Sequence, residues 1–166
     1  MKNIISIVVK NNSSVLARVS SLFGRRGFNI DSLSVSATDD PQISRITVVA
    51  QSDEAGLAQI INQTKKLEET ISVRALKESE SVFRELSLVK ILTKGEDFFD
   101  KFVIELSDRY GAIVVDVTAK SMIIELTGTS DKIDAYMNEL SQAQADKNFV
   151  ISKVCRTGIT AIERGV

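Results

Sequence analysis

Four small polar residues, Asn11-Asn12-Ser13-Ser14, lead into an apolar helical stripe that begins at Val15. Residues of these types satisfy the unpaired backbone N–H groups at a helix start, so at least one of them is expected to act as a cap. A helix needs only one cap, and four such residues leave room for a second role. Backbone N–H groups from Ser13 to Leu16 would face outward at the positive end of the helix dipole, which suits a carboxylate. Asn11 closes the first strand and Asn29 opens the second. Taken as neighbouring central strands, these bring both side-chain amides to the same loop. An amide can donate to a carboxylate and accept from an ammonium. With Val15 and Ile30 alongside, the set describes a pocket for a small apolar amino acid. The residues by themselves leave the plain cap and the pocket equally open.

Catalysis has less to work with. The chain has no histidine, the usual general base near neutral pH and a common transition-metal ligand. Ser-His-Asp triads, Cys-His pairs and His-rich zinc sites are therefore excluded, whereas acid–base chemistry by Lys, Asp or Glu stays open. There is no GxxxxGK[ST] loop, GxGxxG, CxxC or HExxH. Asp39-Asp40 lie in a turn beside Pro41, where paired acids are ordinarily solvated. Glu96-Asp97 open a helix and suit its dipole. Cys155 has no base beside it and is expected to be a buried structural residue.

A net charge of −1 gives no general attraction to nucleic acid or anionic membranes. Hydrophobic residues make up 43% of the chain and charged residues 26%, the balance of a soluble globule. No apolar run is long enough for a bilayer, and the N-terminus lacks the regions of a signal peptide. One cysteine cannot form an internal disulfide, which fits a reducing cytoplasm.

The elements that must hold the polar loop follow from periodicity. Asn3 to Val9 is a β-branched strand. Val15, Val19, Leu22 and Phe23 recur at helical spacing, with Leu16 at the edge, and Gly27 suits the position after the helix. Strands are expected at 29–37 and 43–50. A helix opened by Ser52-Asp53-Glu54 carries Leu57, Ile60, Ile61, Thr64 and Leu67, and a strand at 70–75 follows. The polar stretch 77–81 reads as a linker between domains at 1–76 and 82–166. The order then repeats. A strand at 82–93 precedes a helix with Phe99, Phe102, Val103 and Leu106, which Gly111 ends. Strands at 112–118 and 122–127 precede a helix capped by Ser130-Asp131, with Ile133, Met137 and Leu140 as its stripe. A strand at 149–156 leads into a Gly-containing tail. The class is α+β: two tandem ferredoxin-like βαββαβ domains, each a four-stranded antiparallel sheet with two helices on one face.

That plan leaves one sheet face open. The first-half strands carry apolar residues at both parities (Ile4 and Ile5, Val8 and Val9, Val48 and Val49). The second face is therefore expected to meet the second domain, a second copy of the chain or another protein. RNA-binding modules share the plan but stack bases on strand aromatics. Strands 43–50 and 122–127 have none, so nucleic acid is not expected.

Several runs resemble one family. Asn11 to Leu16, Phe23-Gly24-Arg25-Arg26-Gly27-Phe28-Asn29-Ile30-Asp31-Ser32-Leu33, Thr38-Asp39-Asp40-Pro41 and Ser44-Arg45 resemble the N-terminal ACT domain of acetohydroxyacid synthase (acetolactate synthase) small regulatory subunits. Arg84-Glu85-Leu86, Leu88-Val89-Lys90, Asp116-Val117-Thr118, Leu126-Thr127-Gly128-Thr129 and Arg156-Thr157-Gly158 resemble that family's C-terminal domain. The resemblance covers nearly the whole chain, and the run from Arg25 to Leu33 is its most specific part. It implies a subunit without a reaction or cofactor of its own. Such a subunit binds and activates a large catalytic subunit carrying thiamine diphosphate, magnesium and FAD, and makes it sensitive to valine or a related branched-chain amino acid. It implies side-by-side homodimers with the amino acid between protomers. The matching ligand positions are Asn11, Ser14, Val15, Leu16, Asn29 and Ile30. Family members commonly carry glycine where this chain has Ser14, which puts the feedback response in question more than the subunit role. A free-standing ACT-type amino-acid sensor acting on another partner is the alternative reading.

Overall fold

The computed structural model describes residues 1–94 and 101–165, so Glu96, Asp97 and Phe99 lie outside the described residues. The chain divides into two compact units, 1–83 with 158–166, and 84–157.

In the first unit the order is β1 (Lys2–Lys10), α1 (Val15–Arg25), β2 (Ile30–Ala37), β3 (Ile43–Gln51), α2 (Glu54–Thr64) and β4 (Thr70–Leu76). The sheet is antiparallel with strand order β2-β3-β1-β4. Alternation sets its two faces. Ile5, Ile7, Val9, Ile46, Val48 and Val73 turn toward the helices and meet Val15, Val19, Leu22 and Phe23 of α1. That stripe is the one expected from spacing, and Leu16 at its edge is exposed. Gly27 follows α1 at φ 73, and Gly111 stands at φ 63 after the third helix. Both occupy the left-handed region that glycine reaches at little cost.

The second sheet is ordered β6-β7-β5-β8, built from β5 (Ser81–Thr93), β6 (Ile113–Val117), β7 (Ser121–Gly128) and β8 (Phe149–Arg156). Two helices, α3 (Lys101–Tyr110) and α4 (Ser130–Ala143), complete the repeat, and β9 (Thr160–Glu163) pairs with β5 as a fifth strand. Val89, Ile91, Ile124 and Leu126 pack against Val103, Leu106, Ile133 and Leu140. The βαββαβ plan is thus present twice.

Several expectations change. Residues 78–80 form a short 3-10 turn and β5 begins at Ser81, so the polar stretch at 77–81 is largely structured. The tail belongs to the first unit, not the second: Ile159 and Ala161 are buried with Val49, Leu76, Ile4 and Phe83. Val49, Leu76 and Ile4 lie on the sheet face away from the helices, so the chain's own tail covers part of the face expected to need a separate domain or partner. Thr129, not Ser130, caps α4 by accepting from the Lys132 N–H, and the Ser130 hydroxyl instead donates to Glu85 at 2.9 Å. Cys155 is exposed rather than buried; it pairs across from Leu88, whose side chain is on the face opposite the buried Val89.

Tyr136 is fully buried, where the expected stripe had Met137. The i, i+3, i+7 set Ile133, Tyr136 and Leu140 faces the core. Its phenol can bury because it shares a hydrogen bond with Ser107 Oγ, 3.1 Å away.

Candidate functional site

The β1–α1 loop is fixed by backbone bonds on both sides. Lys10 N–H donates to the Glu69 carbonyl at 2.9 Å, and Asn11 N–H donates to the Gln42 carbonyl at 2.7 Å. Asn12 N–H returns to the Lys10 carbonyl at 2.9 Å, closing a tight turn. Arg18 on α1 pairs with the nearly buried Glu69, tying the helix start to the residue that precedes β4. The loop is therefore positioned by β1, by β4 and by the turn that holds Pro41.

Ser14 is the N-cap residue of α1, yet its side chain makes no capping hydrogen bond. By contrast, Asp53 at the start of α2 accepts from Gly56 N–H at 2.7 Å. The expected cap is thus absent at the one helix start that carries four candidates for it. Ser14 has φ −102 and ψ −4, ordinary for any L-residue, so this backbone does not require a glycine.

Beside the helix start lies a small recess open to solvent. Asn11, Asn12, Val15 and Leu16 line it on the helix side, and Val35, Ser44 and Ile46 on the sheet side. Its floor is apolar and its rim carries amides and a helix N-terminus, a chemistry matched to a carboxylate attached to a short apolar side chain. The Asn11 amide donates to the Pro41 carbonyl at 2.9 Å, which holds the side chain across the mouth.

The structure brings Asn11, Val15 and Leu16 together, with Ser14 at the adjoining helix start. It does not bring Asn29 and Ile30 to them. The strands are not neighbours: β3 separates β2 from β1. Ile30 pairs with Ala50, which pairs with Asn3 at the beginning of β1. Asn29 and Asn11 therefore stand at opposite ends of the sheet, roughly 25–30 Å apart at ~3.3 Å per residue. The Asn29 amide bonds Asp31 Oδ1 at 2.9 Å instead. At the Asn11 end, β2 presents Val35 and Ala37. Val35 and Ser44 escaped the sequence reading because register across three strands brings them to the recess, and spacing along the chain does not show it. Among the described residues no group of three or more His, Cys, Asp or Glu is placed to hold a metal ion, and no helix is long and apolar enough to cross a membrane.

Residues 5–72 match the family described as AHAS small subunit-like ACT domain, and residues 84–165 match the family described as small subunit of acetolactate synthase. A probable acetolactate synthase small subunit of Archaeoglobus fulgidus is 41% identical over 99% of this chain and 98% of its own length. The acetolactate synthase small subunit of Haemophilus influenzae is 38% identical over 99% and 97%. The crystal structure of the acetolactate synthase small subunit from Thermotoga maritima superposes with a TM-score of 0.87 at 31% identity, covering 100% of this chain and 99% of that one. With both family models and full-length relatives in agreement, and with the tandem ACT-like fold they share, this chain belongs to the acetolactate synthase small-subunit family.

Proposed function

We propose that the chain binds and activates the catalytic subunit of acetolactate synthase and makes it responsive to valine or a related branched-chain amino acid. The uncapped N-terminus of α1 beside an apolar recess carries this reading. The Val15 N–H donates to the Asn12 carbonyl at 3.2 Å, so the effector carboxylate would accept from the Leu16 and Ala17 N–H groups of the first turn, and the aliphatic side chain would rest on Val15, Leu16 and Val35. In this reading thiamine diphosphate, magnesium and FAD reside on the catalytic subunit, and this chain supplies regulation.

The separation of Asn11 from Asn29 argues for two copies per site. β2 is an edge strand, and an open edge is a template for pairing. If two β2 strands paired antiparallel about a point between Leu33 and Ser34, Ile30 of one would face Ala37 of the other. The second copy's Asn29 and Ile30 would then lie beside the first copy's Asn11, Ser14, Val15 and Leu16. Two equivalent sites per homodimer follow from the two-fold axis.

The test is acetolactate formation by the reconstituted pair, with and without valine, leucine and isoleucine. Activation and inhibition by at least one of them are expected. Failure to bind or raise the activity of any such catalytic subunit overturns the proposal; effector binding without a catalytic partner would instead point to a free-standing sensor.

A further inference from the structure

The tail after β8 takes a course that neither the repeat nor the effector recess requires. One row of residues crosses the face of the first sheet away from the helices. Ser32 of β2 pairs with Val49 of β3, Val49 with Ile4 of β1, and Ile4 with Leu76 of β4. The tail lies along this row. At the β2 end Ile159 N–H donates to Ser32 Oγ at 3.1 Å. Ile159 and Ala161 are buried against Val49 and Leu76. At the β4 end Glu163 approaches Arg74 at 3.6 Å, and Arg164 N–H donates to the Glu80 carbonyl at 2.8 Å. The dimensions agree: three strand spacings span about 14 Å, and four extended residues about 13 Å. The tail is a strap laid across all four strands.

The β2 end of the strap is fitted closely. Gly158 has φ +75, and a Cβ there would stand 2.2 Å from Ser32 Oγ. Glycine lets the chain turn onto the sheet at this point without strain. Ser32 is two residues from Ile30, and the pairing of β2 shifts register between Ile30 and Ser32. A bulge is where a strand end can change its aim with little disturbance to the rest of the ladder. Ser32 therefore ties the strap to the segment of β2 that begins with Asn29 and Ile30. The other end of the peptide, Thr157, closes β8 of the second unit, with its N–H on the Leu86 carbonyl at 3.0 Å.

We infer that Ser32 is a positioning residue for the effector response: through its bond to Ile159 it sets the aim of Asn29 and Ile30, and so links effector occupancy at the β2 edge to docking of the 158–163 strap. The inference rests on the effector reading above. Because the strap is continuous with β8, its docking is one of two covalent routes from the first unit to the second, the other being β5, with which β9 pairs. The coupling is reciprocal, so an effector that fixes β2 also fixes the strap.

The experiment compares wild type, Ser32→Ala and Gly158→Ala small subunits, each reconstituted with the catalytic subunit. It measures activation, the valine concentration for half-inhibition, and hydrogen exchange of the 158–163 peptide with and without valine. Ser32→Ala removes the acceptor and leaves the face packing in place. It should raise half-inhibiting valine roughly three- to tenfold, the scale of one neutral hydrogen bond, while activation is kept. Gly158→Ala should raise it at least as much. Valine should slow exchange of the strap in wild type and fail to do so in Ser32→Ala. A wild-type valine response in both variants, or equal loss of activation and inhibition in both, overturns the coupling while the effector site stands. A wild-type pair that ignores valine, leucine and isoleucine removes the effector site and this coupling with it.

Discussion

Asn11 and Asn29 lie at opposite ends of the first sheet, because Lys10 pairs with Ile43 at one end of β3 and Ile30 pairs with Ala50 at the other. One protomer therefore cannot direct both amides at one small ligand. If each effector site takes Asn11 from one copy and Asn29 from the other, single variants should complement. Asn11→Ala and Asn29→Ala homodimers should each lose valine inhibition by about tenfold or more in half-inhibiting concentration, the cost of a charge-assisted hydrogen bond. A heterodimer of the two variants places both lesions in one site and leaves the other intact. Calorimetry of the mixed dimer should recover about one valine per dimer at wild-type affinity. Two weak sites and no strong one would place both asparagines in the same protomer's site.

Ser14 contributes no capping bond, whereas Asp53 caps α2. Ser14→Ala should therefore change unfolding free energy by less than about 0.5 kcal/mol, while Asp53→Ala should cost about 1 kcal/mol. Urea unfolding followed by far-UV circular dichroism checks both. A cost of 1 kcal/mol or more for Ser14→Ala would show that the hydroxyl caps the helix in solution.

The same position bears on the effector. With φ −102 at Ser14, glycine is not needed for the backbone, so what serine adds is its hydroxymethyl group. Ser14→Gly should lower the half-inhibiting valine concentration by clearing the approach to the first-turn N–H groups. An unchanged or higher concentration in the activity assay would mean that serine is tolerated or donates to the ligand.

Arg156 holds the second unit together where β5, β8 and α4 meet. Its Nε is 2.7 Å and its Nη2 2.8 Å from the two oxygens of Glu85, and its Nη1 bonds Asp134 at 2.6 Å. Glu85 is 5% exposed. The Glu85 hydrogen bonds hold the guanidinium pKa above its usual value, against the opposing effect of burial. Arg156→Met should cost roughly 3 kcal/mol, because it removes two charge-assisted hydrogen bonds from a buried carboxylate. Arg156→Met with Glu85→Gln should recover part of that loss. Thermal unfolding of the single and double variants measures the coupling.

Burial pushes the Tyr136 phenol above its usual 10.0, and the Ser107 hydrogen bond opposes this more weakly. The folded state thus keeps a proton that the unfolded chain releases near pH 10. The stabilisation is complete below pH 10 and is lost as pH rises from there through the folded value. Tyr136→Phe should remove this alkaline component and cost about 1 kcal/mol at pH 7 through the lost hydrogen bond. Urea titrations at pH 7, 9 and 10.5 follow both effects.

The sequence by itself determined the order of elements, the duplicated plan and the buried stripe of α1, because these depend on local spacing. Val15, Val19, Leu22 and Phe23 face one way at 3.6 residues per turn whatever lies beneath them, and Gly27 and Gly111 mark helix ends by their own conformational freedom. It also located the loop from Asn11 to Ser14. Tertiary structure decided what that loop faces. Alternation tells which face of a strand a residue occupies, not which strand lies alongside. The insertion of β3 between β1 and β2 therefore moved Asn29 to the far end and brought Val35 and Ser44 to the recess. The same gap hid the tail: Ile159 and Ala161 are too few to form a recognisable strand alone. Their partners Val49, Ile4 and Leu76 come together only when the first sheet has formed, which is why the face that looked open in the sequence is crossed by the end of the chain.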